Sequence, residues 1–96
     1  MSAYVVVEVN VTDPQQFQEY AKGVPATIAA YGGKYLVRGG ATESKEGGWA
    51  PKRVVILEFP SMDQARKWYL SPEYKPLLEM RLTAANSKLI FVEGVA

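Results

Sequence analysis

Cysteine and histidine are both absent from this chain of 96 residues, so it lacks the two commonest catalytic and metal-binding side chains. Without cysteine there are no disulfides, iron–sulfur clusters or thiolate metal sites, and no metal or cofactor is expected. No apolar run reaches the length of about 18 residues that a membrane-spanning helix requires, so no membrane partner is expected. An excess of one charge is lacking too: 11 Lys and Arg face 10 Asp and Glu, for a net charge of +1. Nucleic acid is therefore not an expected partner, because binding it needs clustered basic side chains. Met1-Ser2-Ala3 runs straight into a strand-like segment without a basic, apolar leader, and a cytoplasmic location is the expectation.

What is present is a pattern stated twice. Tyr4 to Tyr20 (YVVVEVNVTDPQQFQEY) and Arg53 to Tyr69 (RVVILEFPSMDQARKWY) each read as an apolar strand, a helix cap and an amphipathic helix. The 48% hydrophobic and 22% charged content is that of one globular domain, covering residues 1–96. A chain this short buries only about 60 to 68% of its unfolded surface, so a partner subunit would help to stabilise it.

Ala3 to Val11 predicts the first strand. Asp13 is a natural N-cap, Pro14 suits the first helical position, and Gln16 stands three residues beyond the cap. Phe17, Tyr20, Ala21, Val24, Ile28 and Tyr31 form the apolar stripe of the first helix, which Pro25 should kink or restart and Gly32-Gly33 should end. Lys34 to Arg38 predicts a short second strand, and the polar segment Ala41 to Lys52 a long hairpin arm carrying Trp49. Arg53 to Phe59 predicts the third strand, Ser61 with Gln64 a second cap, and Ala65, Trp68 and Tyr69 a buried helix face. Ser71-Pro72 should begin a further helix with the stripe Tyr74, Leu77, Leu78, Leu82 and Ala85, on whose side Arg81 should pair with an acid. Lys88 to Glu93 reads as the last strand.

The order is βαββαβ, the ferredoxin-like α+β arrangement: a four-stranded antiparallel sheet with strands one and three at its centre. Its helices cover one face only, and Val5, Val7, Val9, Val55, Leu57 and Phe59 are the residues suited to that face. Val6, Val54 and Ile56 then point the other way, and leaving them in water forgoes roughly 1.5 to 3 kcal/mol each. A homodimer pairing sheet against sheet follows. The same face carries Tyr4, Glu8, Asn10 and Glu58, and regular alternation adds Arg38. Buried charges need a partner, water or a ligand. Antiparallel order sets Glu8, Asn10 and Arg38 at one pole, beneath the arm carrying Trp49, and Glu58 at the other, near Lys34.

YVVVEVNVTDP, GGKYLVRGG, the Glu46-Gly47-Gly48-Trp49 arm, RVVILEFPS, the segment Tyr69 to Tyr74 and Arg81 together resemble the bacterial domain-of-unknown-function 1330 family over nearly the whole chain. The resemblance implies a dimeric α+β barrel, whose small ferredoxin-like subunits pair around a lumen. That superfamily includes cofactor-free monooxygenases of polyketide quinols, muconolactone isomerases and haem enzymes. The lack of histidine argues against the haem branch. On this reading the lumen binds a small anionic or oxygenated aromatic or polyketide-like molecule, for cofactor-free isomerisation or oxygenation. Arg38 would hold the anion, Glu8 move a proton as the catalytic base, Asn10 orient the substrate and Trp49 close the site, with Glu58 a second substrate-binding candidate. The alternative is a non-catalytic ligand-binding or structural interaction module.

Overall fold

The computed structural model describes all of residues 1–96. It contains β1 (Ala3–Val11), α1 (Pro14–Ala30), β2 (Lys34–Arg38), β3 (Val54–Phe59), α2 (Met62–Tyr69), α3 (Lys75–Ala84) and β4 (Ala85–Glu93). The sheet is antiparallel with strand order β2-β3-β1-β4, so β1 and β3 are central. This is a ferredoxin-like α+β fold.

Of the two expected capping boxes, the N-cap half of each forms, while the Asp13 N–H donates to the Ala84 carbonyl and not to Gln16. The Asp13 carboxylate accepts the Gln16 N–H at 3.2 Å, and the Ser61 hydroxyl accepts the Gln64 N–H at 3.1 Å, each satisfying a donor that the first helical turn leaves free. The Gln64 side chain donates to the Tyr31 carbonyl at 2.9 Å, tying the start of α2 to the end of α1. Pro25 does not restart α1, which runs unbroken from Pro14 to Ala30. The carbonyl that a proline at position 25 leaves without its helical donor is that of Ala21, and it accepts a guanidinium N–H of Arg38 at 3.1 Å. The last helix starts at Lys75 rather than Ser71, which instead caps the preceding turn by accepting the Tyr74 N–H at 3.1 Å. β4 follows α3 without a loop, so Ala85 belongs to the strand, and Leu82 is 65% exposed rather than part of the core.

Val5, Val7, Val9, Leu57 and Phe59 face the helices and pack on Val24, Ile28, Ala65, Trp68 and Tyr74. The Trp68 ring lies 4.2 Å from that of Tyr74 and 5.4 Å from that of Phe59, and its indole N–H donates to the Thr27 hydroxyl at 3.1 Å. The other face has no cover within the chain, and the fold measures only 16 Å along its shortest axis, the depth of one sheet and one helix layer. Across this face Val37, Ile56, Val6 and Ile90 stand opposite one another from edge to edge.

Candidate functional site

β2 is interrupted by a bulge. Lys34 is opposite Glu58 and Tyr35 opposite Leu57, but Val37 is opposite Ile56 and Arg38 opposite Val55. One extra residue in a strand turns every later side chain to the other face of the sheet. Arg38 therefore joins Val55 on the helix side, and not Glu8 on the open face. The pairing of Glu8 with Arg38 drawn from regular alternation does not occur.

The remaining expected site residues stay on the open face. Glu8 accepts the Trp49 indole N–H at 2.8 Å, so the arm does fold over this pole. Asn10 is exposed beside it, in an open polar groove of about 330 Å³ that Glu8, Lys52, Asn86 and Lys88 also line. At the other pole Glu58 accepts from the Tyr4 hydroxyl at 3.3 Å and meets the Lys34 ammonium at 3.4 Å. A hydrogen bond from Ser2, with Lys34 and Tyr4 behind it, holds the Glu58 carboxyl below its ordinary range. Each of these carboxylates thus has protein partners already.

The one buried side-chain donor without a partner, the Arg53 Nε, lies on the opposite side, in a cleft between the sheet and α1 and α3. Its walls are mostly apolar, supplied by Val7, Val9, Leu57 and Trp68 among others, and its water-reachable volume is about 40 Å³. A single water needs roughly 10 to 15 Å³ on the same measure, so there is room for about three. Three arginines reach this space: Arg38 from β2, Arg53 from the residue ahead of β3, and Arg81 from α3. None of them is in a salt bridge.

Each arginine is held by other means. The Arg38 guanidinium stacks 4.6 Å from the Tyr35 ring centre and donates to the Ala21 carbonyl. The Arg53 guanidinium lies 5.6 Å from the Phe17 ring centre, and its Nε is buried without a hydrogen-bond partner. Arg53 can lie there because Gly39 has no Cβ, which would stand 2.6 Å from one terminal nitrogen of the guanidinium. Arg81 is 4% exposed; it donates to the Ser87 hydroxyl and, at 3.4 Å, to the Tyr74 hydroxyl, which shares a hydrogen bond of 2.8 Å with Tyr20. The expected acid partner of Arg81 is thus a chain of hydroxyls. Burial, then the neighbouring Tyr74, pushes the Tyr20 phenol far up, so it stays protonated; burial also pushes up Tyr35.

A desolvated guanidinium without a carboxylate is costly unless an anion completes it. The cleft therefore offers cationic donors and aromatic faces to one small anion, and no carboxylate or imidazole within it competes. No group of His, Cys, Asp and Glu side chains is placed to hold a metal ion.

Arg53 was not singled out from the sequence, and Arg81 was read as the partner of an acid rather than as a site residue, although a signal exists for each. Arg53 has the alternation of Val55, Leu57 and Phe59, and Arg81 follows Leu77 by one helical turn, so each is a charge on an apolar face.

No curated protein matches the chain. Among solved structures, it is similar to a protein of unknown function from Rhodopseudomonas palustris, at a TM-score of 0.76 and 17% identity, covering 99% of this chain and 83% of that one. It is also similar to SnoaB, a cofactor-independent oxygenase from Streptomyces nogalater, at a TM-score of 0.71 and 17% identity over 99% of this chain and 94% of that one. A dimeric ferredoxin-like protein of unknown function from Jannaschia sp. CCS1 superposes at 0.73 with 9% identity, over 98% and 100% of the two chains. At these identities the likeness is one of fold. The family model for a domain of unknown function, DUF1330, matches residues 2–95, and the chain belongs to that family.

Proposed function

We propose that this protein is a homodimer that binds a small anionic, oxygenated molecule in the cleft between its sheet and helices, one per subunit. The observation that carries this reading is the set Arg38, Arg53 and Arg81 on an apolar wall without a carboxylate, one of them with a buried Nε lacking any partner. The ligand moves from the lumen between two sheets, where alternation had set it, to the interior of each subunit. The lumen side keeps Glu8, Asn10, Trp49 and Glu58 as the lining of the dimer interface. The enclosed space takes the anionic group of a small acid, and the rest of a larger one extends through the open mouth of the cleft. Guanidiniums in a water-poor cleft stabilise negative charge on oxygen, which is what a cofactor-free oxygenation of an already ionised substrate requires. The similarity in fold to the cofactor-independent oxygenase from Streptomyces nogalater supports this reading.

Trp68 lines the cleft and reports on it. Titration with benzoate or salicylate should quench its emission saturably, and Arg53→Gln and Arg81→Gln should each weaken binding about tenfold or more, as expected for hydrogen bonds to a charged group. Absence of any saturable change in the unaltered protein would end the reading. Binding of the same anions without turnover under air would leave a binding module, the non-catalytic alternative.

A further inference from the structure

The titratable side chains on the cleft wall are Tyr20 from α1, Tyr35 and Arg38 from β2, Arg53 ahead of β3, Tyr74 ahead of α3 and Arg81 on α3. The wall contributed by β1, β4 and α2 consists of Val7, Val9, Leu89 and Trp68, which do not titrate. Tyrosine and arginine side chains ordinarily titrate near ~10 and above ~12. The two carboxylates of the central strands, Glu8 and Glu58, stand on the other face of the sheet, opposite Val54 and Tyr4. The chain has no histidine or cysteine to supply a base from elsewhere. The wall holds no carboxylate, imidazole, thiol or amine that could serve as a base.

Resting on the anion site proposed above, we infer that the cleft selects acids by their own acidity: carboxylates, and phenols or enols acidic enough to ionise near neutral pH. A weaker acid has no group in the cleft to deprotonate it. When a partly ionised acid binds, its proton leaves to solvent and the anion stays with the guanidiniums. The guanidiniums favour the anion over the neutral form, so the bound acid ionises at a lower pH than the free one.

Two probes test this. 4-Nitrobenzoate is an anion throughout the neutral range; 4-nitrophenol ionises near neutral pH and is yellow only as the anion. The affinity for 4-nitrobenzoate should change less than about twofold from roughly pH 6 to 9, because the wall carries no carboxylate, imidazole or thiol. The ionisation of 4-nitrophenol, read from its colour, should shift down by about one unit or more on binding, a tenfold preference for the anion. Protons should appear in a weakly buffered solution as it binds below its own pKa. A step in the 4-nitrobenzoate affinity within that window would reveal a titrating protein group and overturn the inference, as would bound 4-nitrophenol that stays colourless. If neither probe binds at any pH where it is ionised, the anion site itself is refuted.

Discussion

Replacing Gly39 by alanine tests the site through a single added methyl group. Gly39 has φ +73°, and its Cβ would meet the Arg53 guanidinium at 2.6 Å and 2.8 Å, well inside ordinary contact. An L-residue in the left-handed region costs about 1 to 2 kcal/mol. The collision adds little to this, because the far end of a flexible side chain can swing away, and that swing takes Arg53 out of the cleft. For a domain of this size the backbone cost corresponds to a fall in Tm of about 4 to 16 °C. Gly47 is the control: it has φ +76° and nothing within 4 Å of its Cβ position, so Gly47→Ala carries a similar backbone cost without touching Arg53. Thermal unfolding followed by circular dichroism should show similar losses for the two variants. Titration with 4-nitrobenzoate should separate them, with Gly39→Ala about tenfold weaker and Gly47→Ala close to the unaltered protein, a gap of about 1.4 kcal/mol. Equal affinity in both variants would refute the claim that Gly39 seats Arg53 for binding.

Ile90 is 59% exposed on the open face, so Ile90→Glu should convert the proposed dimer to a monomer in sedimentation; an unaltered dimer in this variant would rule out sheet-to-sheet pairing. Thr27→Val removes the acceptor of the buried Trp68 indole and should cost about 1 to 3 kcal/mol in urea unfolding. The Glu58 carboxyl is depressed in the fold, so its contribution to stability is complete above the unfolded value near 4.5 and is lost as pH falls through the lower folded value. Glu58→Gln should accordingly flatten the decline of Tm on acidification below that point, and an unchanged acid limb would contradict the assignment. Trp49 is 62% exposed, so Trp49→Phe should cost less than about 1 kcal/mol despite losing the bond to Glu8.

The strand and helix pattern was legible because each element states its own period. The valines of β1 alternate between faces, Asp13 and Ser61 cap as their positions demand, and Phe17, Val24 and Ile28 recur at helical spacing. The contact between Trp49 and Glu8 was legible too, since antiparallel order alone brings the arm to that pole. Pro25 misled for a local reason: a proline interrupts a helix unless another donor serves the orphaned carbonyl, and here that donor, Arg38, is remote in sequence. The site was missed for a related reason. Its arginines arrive from two strand ends and a helix, and a charge on an apolar stripe looks like an exception until the cavity it reaches is known.

Period and capping set the order of elements, the centre and edges of the sheet, and the face left uncovered, because these depend on near neighbours along the chain. Which side of the sheet Arg38 takes depended on one feature, the bulge in β2 between Tyr35 and Val37. Nothing in KYLVR marks it. With it Arg38 reaches the open carbonyl of Ala21 and the face of Tyr35, contacts that arise only when helix and sheet are packed together. A side-chain period of two makes that single residue decisive: it moves Arg38 from the open face to the helix side, at the mouth of the cleft that Arg53 and Arg81 also line.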